Sequence, residues 1–171
     1  MCGRFTQSYT WEELQRLYRL TQPARNVRPQ YNICPTDPVE VIIPGDNGLL
    51  AVPMRWQLIP PWWKKSLNEL PATFNARAET VAEKPIFRDA FRRNRCVIPA
   101  SGYYEWETRP DGKQPYYITS TDGPVMTIAG AVERVARPGE RRNARDLHDD
   151  HHQSQFSGRR HSRPNAGAAR L

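Results

Sequence analysis

The chain has 171 residues, 38% of them hydrophobic, with five Trp, seven Tyr and five Phe; this is enough for one core of ordinary size and argues for a single domain. Its net charge of +7 favours polyanionic partners. No apolar run approaches the roughly 20 residues a membrane helix needs, and the N-terminus lacks a secretory layout, so a cytoplasmic protein with no membrane partner is expected.

The chain opens MCGRF. Loss of the initiator methionine would leave Cys2 as the N-terminal residue, presenting a thiol and an α-amine on adjacent carbons. The three cysteines, Cys2, Cys34 and Cys96, are odd in number and widely spaced. They read as free thiols rather than as a disulfide framework or a metal site.

Thr10-Trp11-Glu12-Glu13 has the form of a capping box. Trp11, Leu14, Leu17 and Tyr18 follow at helical spacing, which predicts one amphipathic helix over about residues 11–20. Elsewhere strands dominate. Residues 39–43, 49–58, 95–98, 102–107, 116–119 and 125–131 are rich in β-branched and aromatic residues and are separated by Pro, Gly, Asp and Asn. Asp111-Gly112 and Asp122-Gly123 read as turns that link the later runs into antiparallel neighbours. The expected fold is α+β, a curved, barrel-like antiparallel sheet with peripheral helices.

Four stretches can carry chemistry. Pro60-Pro61-Trp62-Trp63-Lys64-Lys65 puts two rings beside two cations, which suits single-stranded nucleic acid: bases stack on rings while lysines follow phosphates. In Phe74-Asn75-Ala76-Arg77-Ala78-Glu79-Thr80, the polar residues Asn75, Arg77 and Glu79 alternate, so on an extended segment they project to one side. Arg88 and Arg92 are four apart and share a face if Pro85 starts a short helix. In Ser101-Gly102-Tyr103-Tyr104-Glu105-Trp106, alternation puts Tyr103, Glu105 and Glu107 on one face and Tyr104 and Trp106 on the other. Burial of Glu105 among rings would raise its pKa toward the range useful in acid–base work. Each stretch also has a plain structural reading, as core aromatics or solvated charge.

Taken together, MCGRF at 1–5, FNARAET at 74–80, CVIPASGYYEW at 96–106 and TIAGAVE at 127–133 closely resemble the SOS-response-associated peptidase family, the abasic-site-processing proteins. YNICPTDPV and PWWK fit the same resemblance, which covers about residues 1–135. It implies a protein that loses Met1 and reacts through Cys2 with the ring-opened aldehyde of an abasic deoxyribose in single-stranded DNA, closing to a thiazolidine and shielding the lesion. It further implies that Asn75 positions the terminus and the sugar, that Arg77 binds phosphate, and that Glu105 assists ring opening and proton transfer. PWWK belongs to the DNA groove by the same likeness, so Arg4, Trp62, Trp63, Lys64, Arg77 and Arg88 are the expected DNA contacts. An α-amine of pKa about 7.7–8.0 is partly neutral at cellular pH, and a thiol near 8.5 needs only modest help to ionise. Arg4 is a source of that help, and Gly3 lets the terminus approach the sugar closely. No cofactor, metal or obligate protein partner is called for. The name peptidase reflects a proposed self-cleavage that frees Cys2, or a proteolytic relative; nothing in the sequence supports proteolysis of other proteins. A non-covalent single-stranded-DNA module and an N-terminal-nucleophile amidase are the competing readings.

The family pattern also includes a His-x-Arg-Met-Pro motif that this chain lacks. All four histidines, His148, His151, His152 and His161, lie in the last 35 residues, a polar stretch of net charge +4. Ser162 to Gly167 can be encoded as TCA CGA CCG AAT GCC GGN, which from the second base reads His-Asp-Arg-Met-Pro. The expectation is a frameshifted chain whose family reading is lost between about Val135 and Arg145, with residues 136–171 a disordered tail and a sheet left incomplete at its C-terminal edge. Sequencing of the locus tests this: a shifted frame without the motif would refute it.

Overall fold

The computed structural model describes residues 2–133, 152–157 and 168–170. The strands are β1 (Arg4–Gln7), β2 (Gln30–Ile33), β3 (Pro38–Gly45), β4 (Gly48–Trp56), β5 (Asn75–Ala76), β6 (Arg95–Ala100), β7 (Gly102–Arg109), β8 (Gly112–Ile118), β9 (Met126–Glu133), β10 (His152–Ser157) and β11 (Ala168–Arg170). Two short helices, α1 (Trp11–Tyr18) and α2 (Arg88–Arg93), lie among them. One sheet has the order β11-β8-β7-β1-β2 and the other β4-β3-β6-β9-β10-β5, with a further β4–β10 pairing. The fold is α+β and mainly antiparallel, curved in the barrel-like manner expected.

Local chemistry accounts for most boundaries. Thr10 Oγ1 accepts from the Glu13 amide and the Glu13 carboxylate accepts from the Thr10 amide, a complete capping box. The helix stops at Tyr18, two residues early, because Arg19 turns left-handed at φ 52°. Trp11 and Leu14 face the core, whereas Leu17, on the last turn, is 49% exposed.

The β7–β8 hairpin turns at Pro110-Asp111, with Arg109 opposite Gly112. Gly112 has φ +136°, a conformation that side chains resist. Asp122-Gly123 behaves differently from expectation. It joins β8 to β9, but these lie in different sheets; a turn reverses the chain locally without dictating which neighbour the next strand meets. The chain also changes sheets between β6 and β7, at Ser101, whose amide donates to the Thr6 carbonyl at 2.9 Å. At Gly102 an added Cβ would sit 2.4 Å from the Tyr117 ring, so this corner admits only glycine without rearrangement.

The core between the sheets is built on Trp56 and Phe5, both fully buried. Their rings meet edge to face with centroids 4.9 Å apart, and Phe74 packs on Trp56 at 5.9 Å. Trp56 Nε1–H donates to the Phe74 carbonyl at 2.8 Å, which ties the short strand β5 to the core.

The expectations of a disordered tail, a lost reading frame and the four tail histidines fall on side chains outside the described residues. The backbone of β10 does pair antiparallel with β9 and in parallel with β4 and β5, so the sheet continues past β9.

Candidate active site at the N-terminal strand

Cys2 lies two residues before Arg4, the start of β1, and β1 pairs with β7 on one side and β2 on the other. That arrangement puts Phe5 opposite Tyr103 and Arg4 opposite Tyr104. The β1 strand was not among the predicted runs; four residues are too few to show a period before their partners are known.

Cys2 is buried, at 8% exposure, and belongs to the core cluster with Phe5, Trp56 and Ile98. Its S–H donates to the Arg4 carbonyl at 3.0 Å. Asn75 Nδ2 donates to the Cys2 carbonyl at 2.6 Å, while Asn75 Oδ1 is buried with no partner. One amide therefore holds the Cys2 backbone and keeps an unused acceptor beside it. The hold on Asn75 traces back to Trp56, through the hydrogen bond to its neighbour Phe74.

Burial pushes the Cys2 thiol from 9.0 up to about 12, and the nearby Glu105 carboxylate adds to the rise. With Met1 attached, the thiol is thus far from the nearly ionised state expected of an N-terminal Cys2. The Arg4 guanidinium is not the helper expected, since its Nη1 donates to Asn32 Oδ1 at 2.6 Å on the exposed surface. Desolvation by the core outweighs any cation nearby.

Glu105 is half-buried on β7. Tyr103, two residues earlier, packs against the Cys2 cluster; its phenol is pushed up first by burial and then by Glu105 and Cys2. The predicted shared face of Tyr103 and Glu105 is thus the face that meets Cys2. Tyr103 was not singled out as a site residue, although the alternation that placed Glu105 placed it too.

The other predicted residues are more dispersed. Only Asn75 of the alternating trio lies on a strand. The Arg77 carbonyl accepts from the Thr80 and Val81 amides at 3.1 and 2.9 Å, so the chain turns there and Arg77 and Glu79 do not follow Asn75 along an extended edge. Arg77 itself is exposed. Trp62 is 53% exposed, and its ring lies 6.2 Å from that of Trp63, whose Nε1–H donates to the Ser66 carbonyl at 3.2 Å. Lys64 is exposed beside them. Pro85 does not open α2, which begins at Arg88; Arg88 and Arg92 still stand one turn apart on it. Arg88 pairs with its neighbour Asp89 at 3.5 Å, both largely in solvent, a contact worth little.

The fold and the site define an α+β protein of two curved sheets, with a cysteine buried at the head of its first strand between an asparagine amide and a strand-borne carboxylate. The chain belongs to the SOS response associated peptidase (SRAP) family, whose model matches residues 1–151. It is 37% identical over 142 residues to the Abasic site processing protein YoqW of Bacillus subtilis, a match covering 81% of this chain and 62% of that one. To the Abasic site processing protein YedK of Escherichia coli it is 33% identical over 136 residues, 75% of this chain and 58% of that one. A crystal structure of a protein from Bordetella bronchiseptica superposes with a TM-score of 0.67 at 28% identity, covering 91% of this chain and 70% of that one. The chain thus spans about three fifths of the length of these two relatives. No helix among the described residues is long and apolar enough to cross a membrane.

Proposed function

We propose that this protein senses abasic sites in single-stranded DNA and, once Met1 is removed, captures them covalently through Cys2. The free α-amine adds to the aldehyde carbon of the ring-opened sugar, and loss of one water gives an imine. The thiol sulfur then adds to that carbon while its proton passes to nitrogen, closing a five-membered thiazolidine. Two bonds to one carbon make the product more durable than an imine alone.

The observation that carries this reading is Asn75, whose amide nitrogen holds the Cys2 carbonyl while its buried oxygen has no partner. A buried acceptor without a partner costs about 1–3 kcal/mol, and a sugar hydroxyl or the freed ammonium would satisfy it. Glu105 supplies a proton acceptor near a thiol that burial keeps protonated, which matches a mechanism in which the amine reacts first. Arg4, Arg77 and Arg88 then serve phosphates, and Trp62, Trp63 and Lys64 the flanking bases and backbone. Sequence likeness to proteins named for abasic-site processing supports the same assignment. The setting would be DNA-damage protection in a bacterial-type cytosol.

Met1-processed protein mixed with single-stranded DNA carrying one abasic site should give a band that survives denaturing electrophoresis and disappears with Cys2→Ala. Salt-sensitive binding with no such band from soluble processed protein would refute covalent capture and leave a DNA-binding module. Hydrolysis of amide substrates without DNA would favour an N-terminal-nucleophile amidase instead.

A further inference from the structure

Away from Cys2, a groove of about 460 Å³ opens between the segment 25–30 and the strands β3 and β4. Three prolines, Pro29, Pro38 and Pro53, line it with flat apolar surface. Its polar lining is Arg25, Asn26, Arg28, Gln30 and Glu40. Arg25 and Glu40 neutralise one another in a close ion pair, with Arg25 also stacked over the Trp11 ring at 4.9 Å. Among the described residues that leaves the Arg28 guanidinium as the lining charge without an ion pair, beside the exposed Asn26 amide.

The groove is connected to the active site through β2, the edge strand of its sheet. Gln30 lines the groove and stands opposite Gln7 of β1. Tyr31 follows, 65% exposed, its carbonyl accepting from Tyr104 O–H at 3.2 Å, so its backbone is fixed while its ring faces solvent. Next comes Asn32, which accepts from Arg4, two residues from Cys2. Gln7 stands five steps along the chain from Cys2, at most about 17 Å, a few nucleotides of single strand.

We propose that this groove binds one nucleotide of the strand flanking the lesion, and so extends the footprint of the protein along β2. The volume lies within the range of small-molecule sites, about 300–1,000 Å³. Proline faces suit a base, the amides of Asn26 and Gln30 suit its edge, and Arg28 suits its phosphate. This subsite rests on the reading of the protein as a single-stranded-DNA binder, and the experiment separates the two.

Binding is measured by fluorescence anisotropy against salt, with single-stranded DNA bearing a tetrahydrofuran abasic analogue that has no aldehyde, at several flank lengths. Arg28→Ala should weaken binding and lower the slope of log K against log salt by about 1. Asn26→Ala should weaken it about fivefold through the loss of one hydrogen bond. Both effects should vanish when the flank on one side is shortened to one nucleotide. Lys113→Ala, an exposed charge at the far hairpin, should leave the slope unchanged. Variants indistinguishable from the parent at every length overturn the proposal. So does a free deoxynucleoside monophosphate that binds through Arg28 while DNA binding shows no flank dependence, since that marks an isolated nucleotide pocket. The aldehyde crosslink is followed in parallel on the parent protein. Its absence alongside Arg28-dependent, length-dependent binding would refute the Cys2 chemistry and support the groove.

Discussion

The head of β1 and the Pro60–Lys65 loop treat their reactive-looking residues in opposite ways. Cys2 is withdrawn into the core, its thiol held protonated by desolvation, whereas Trp62 stands more than half exposed on a proline-stiffened loop. The contrast separates two tasks that single-stranded-DNA capture would combine. A nucleophile kept neutral and enclosed is spared from oxidants and chance electrophiles, while a stacking platform must already be in solvent to meet a base.

The largest expected effect on this comparison comes from Cys2→Ala, which should abolish any denaturation-resistant adduct while salt-sensitive binding remains. Asn75→Ala comes next. It removes the 2.6 Å bond to the Cys2 carbonyl and should slow adduct formation by up to about 100-fold through misplacement of the terminus. Its cost in unfolding free energy should be only about 1 kcal/mol. Single-turnover gels and denaturant melts on the same variant read the two quantities, and equal small losses in both would end the positioning role.

Trp62→Ala tests the exposed half of the comparison. Loss of one stacking ring should weaken DNA binding by about 1–3 kcal/mol without changing adduct yield at saturating DNA; a fall in saturating yield would mean that the loop shapes the reactive centre.

A pH effect on stability should be smaller. Cys2 and Cys96 are both pushed up to about 12 by burial, so the folded state holds protons that the unfolded chain releases near 9.0. Their contribution is intact below about pH 9 and is lost as pH rises toward 12. Thermal melts across that window should therefore fall less steeply for Cys96→Ala than for the parent. The smallest effect is expected from Arg88→Ala: a salt slope shallower by about 1, with adduct formation unaltered at low salt. An unchanged slope would remove α2 from the DNA path.

Much of this molecule was legible from local pattern. The Thr10–Glu13 capping box, the hairpin between β7 and β8 and the apolar strands β3, β4, β6 and β9 announce themselves, because propensity and burial point the same way along them. β1, β2 and β5 do not. Each has four residues or fewer and becomes a strand only because a partner supplies its hydrogen bonds. The same limit explains Arg77 and Glu79, whose alternation with Asn75 suggested one face until the chain turned after Ala76.

By itself the sequence determined the inventory and its order: a cysteine ready to become N-terminal, an asparagine in FNARAET, a glutamate two positions beyond Tyr103 on an alternating strand, and a family signature through four separated motifs. Only the tertiary structure decided what those groups are like. Trp56 from β4 and Ile98 from β6 help enclose Cys2, and Asn75 reaches it across 73 positions of chain. Desolvation is a sum over such neighbours. No window of sequence contains them, so a thiol that reads as nearly ionisable becomes one that holds its proton up to about pH 12.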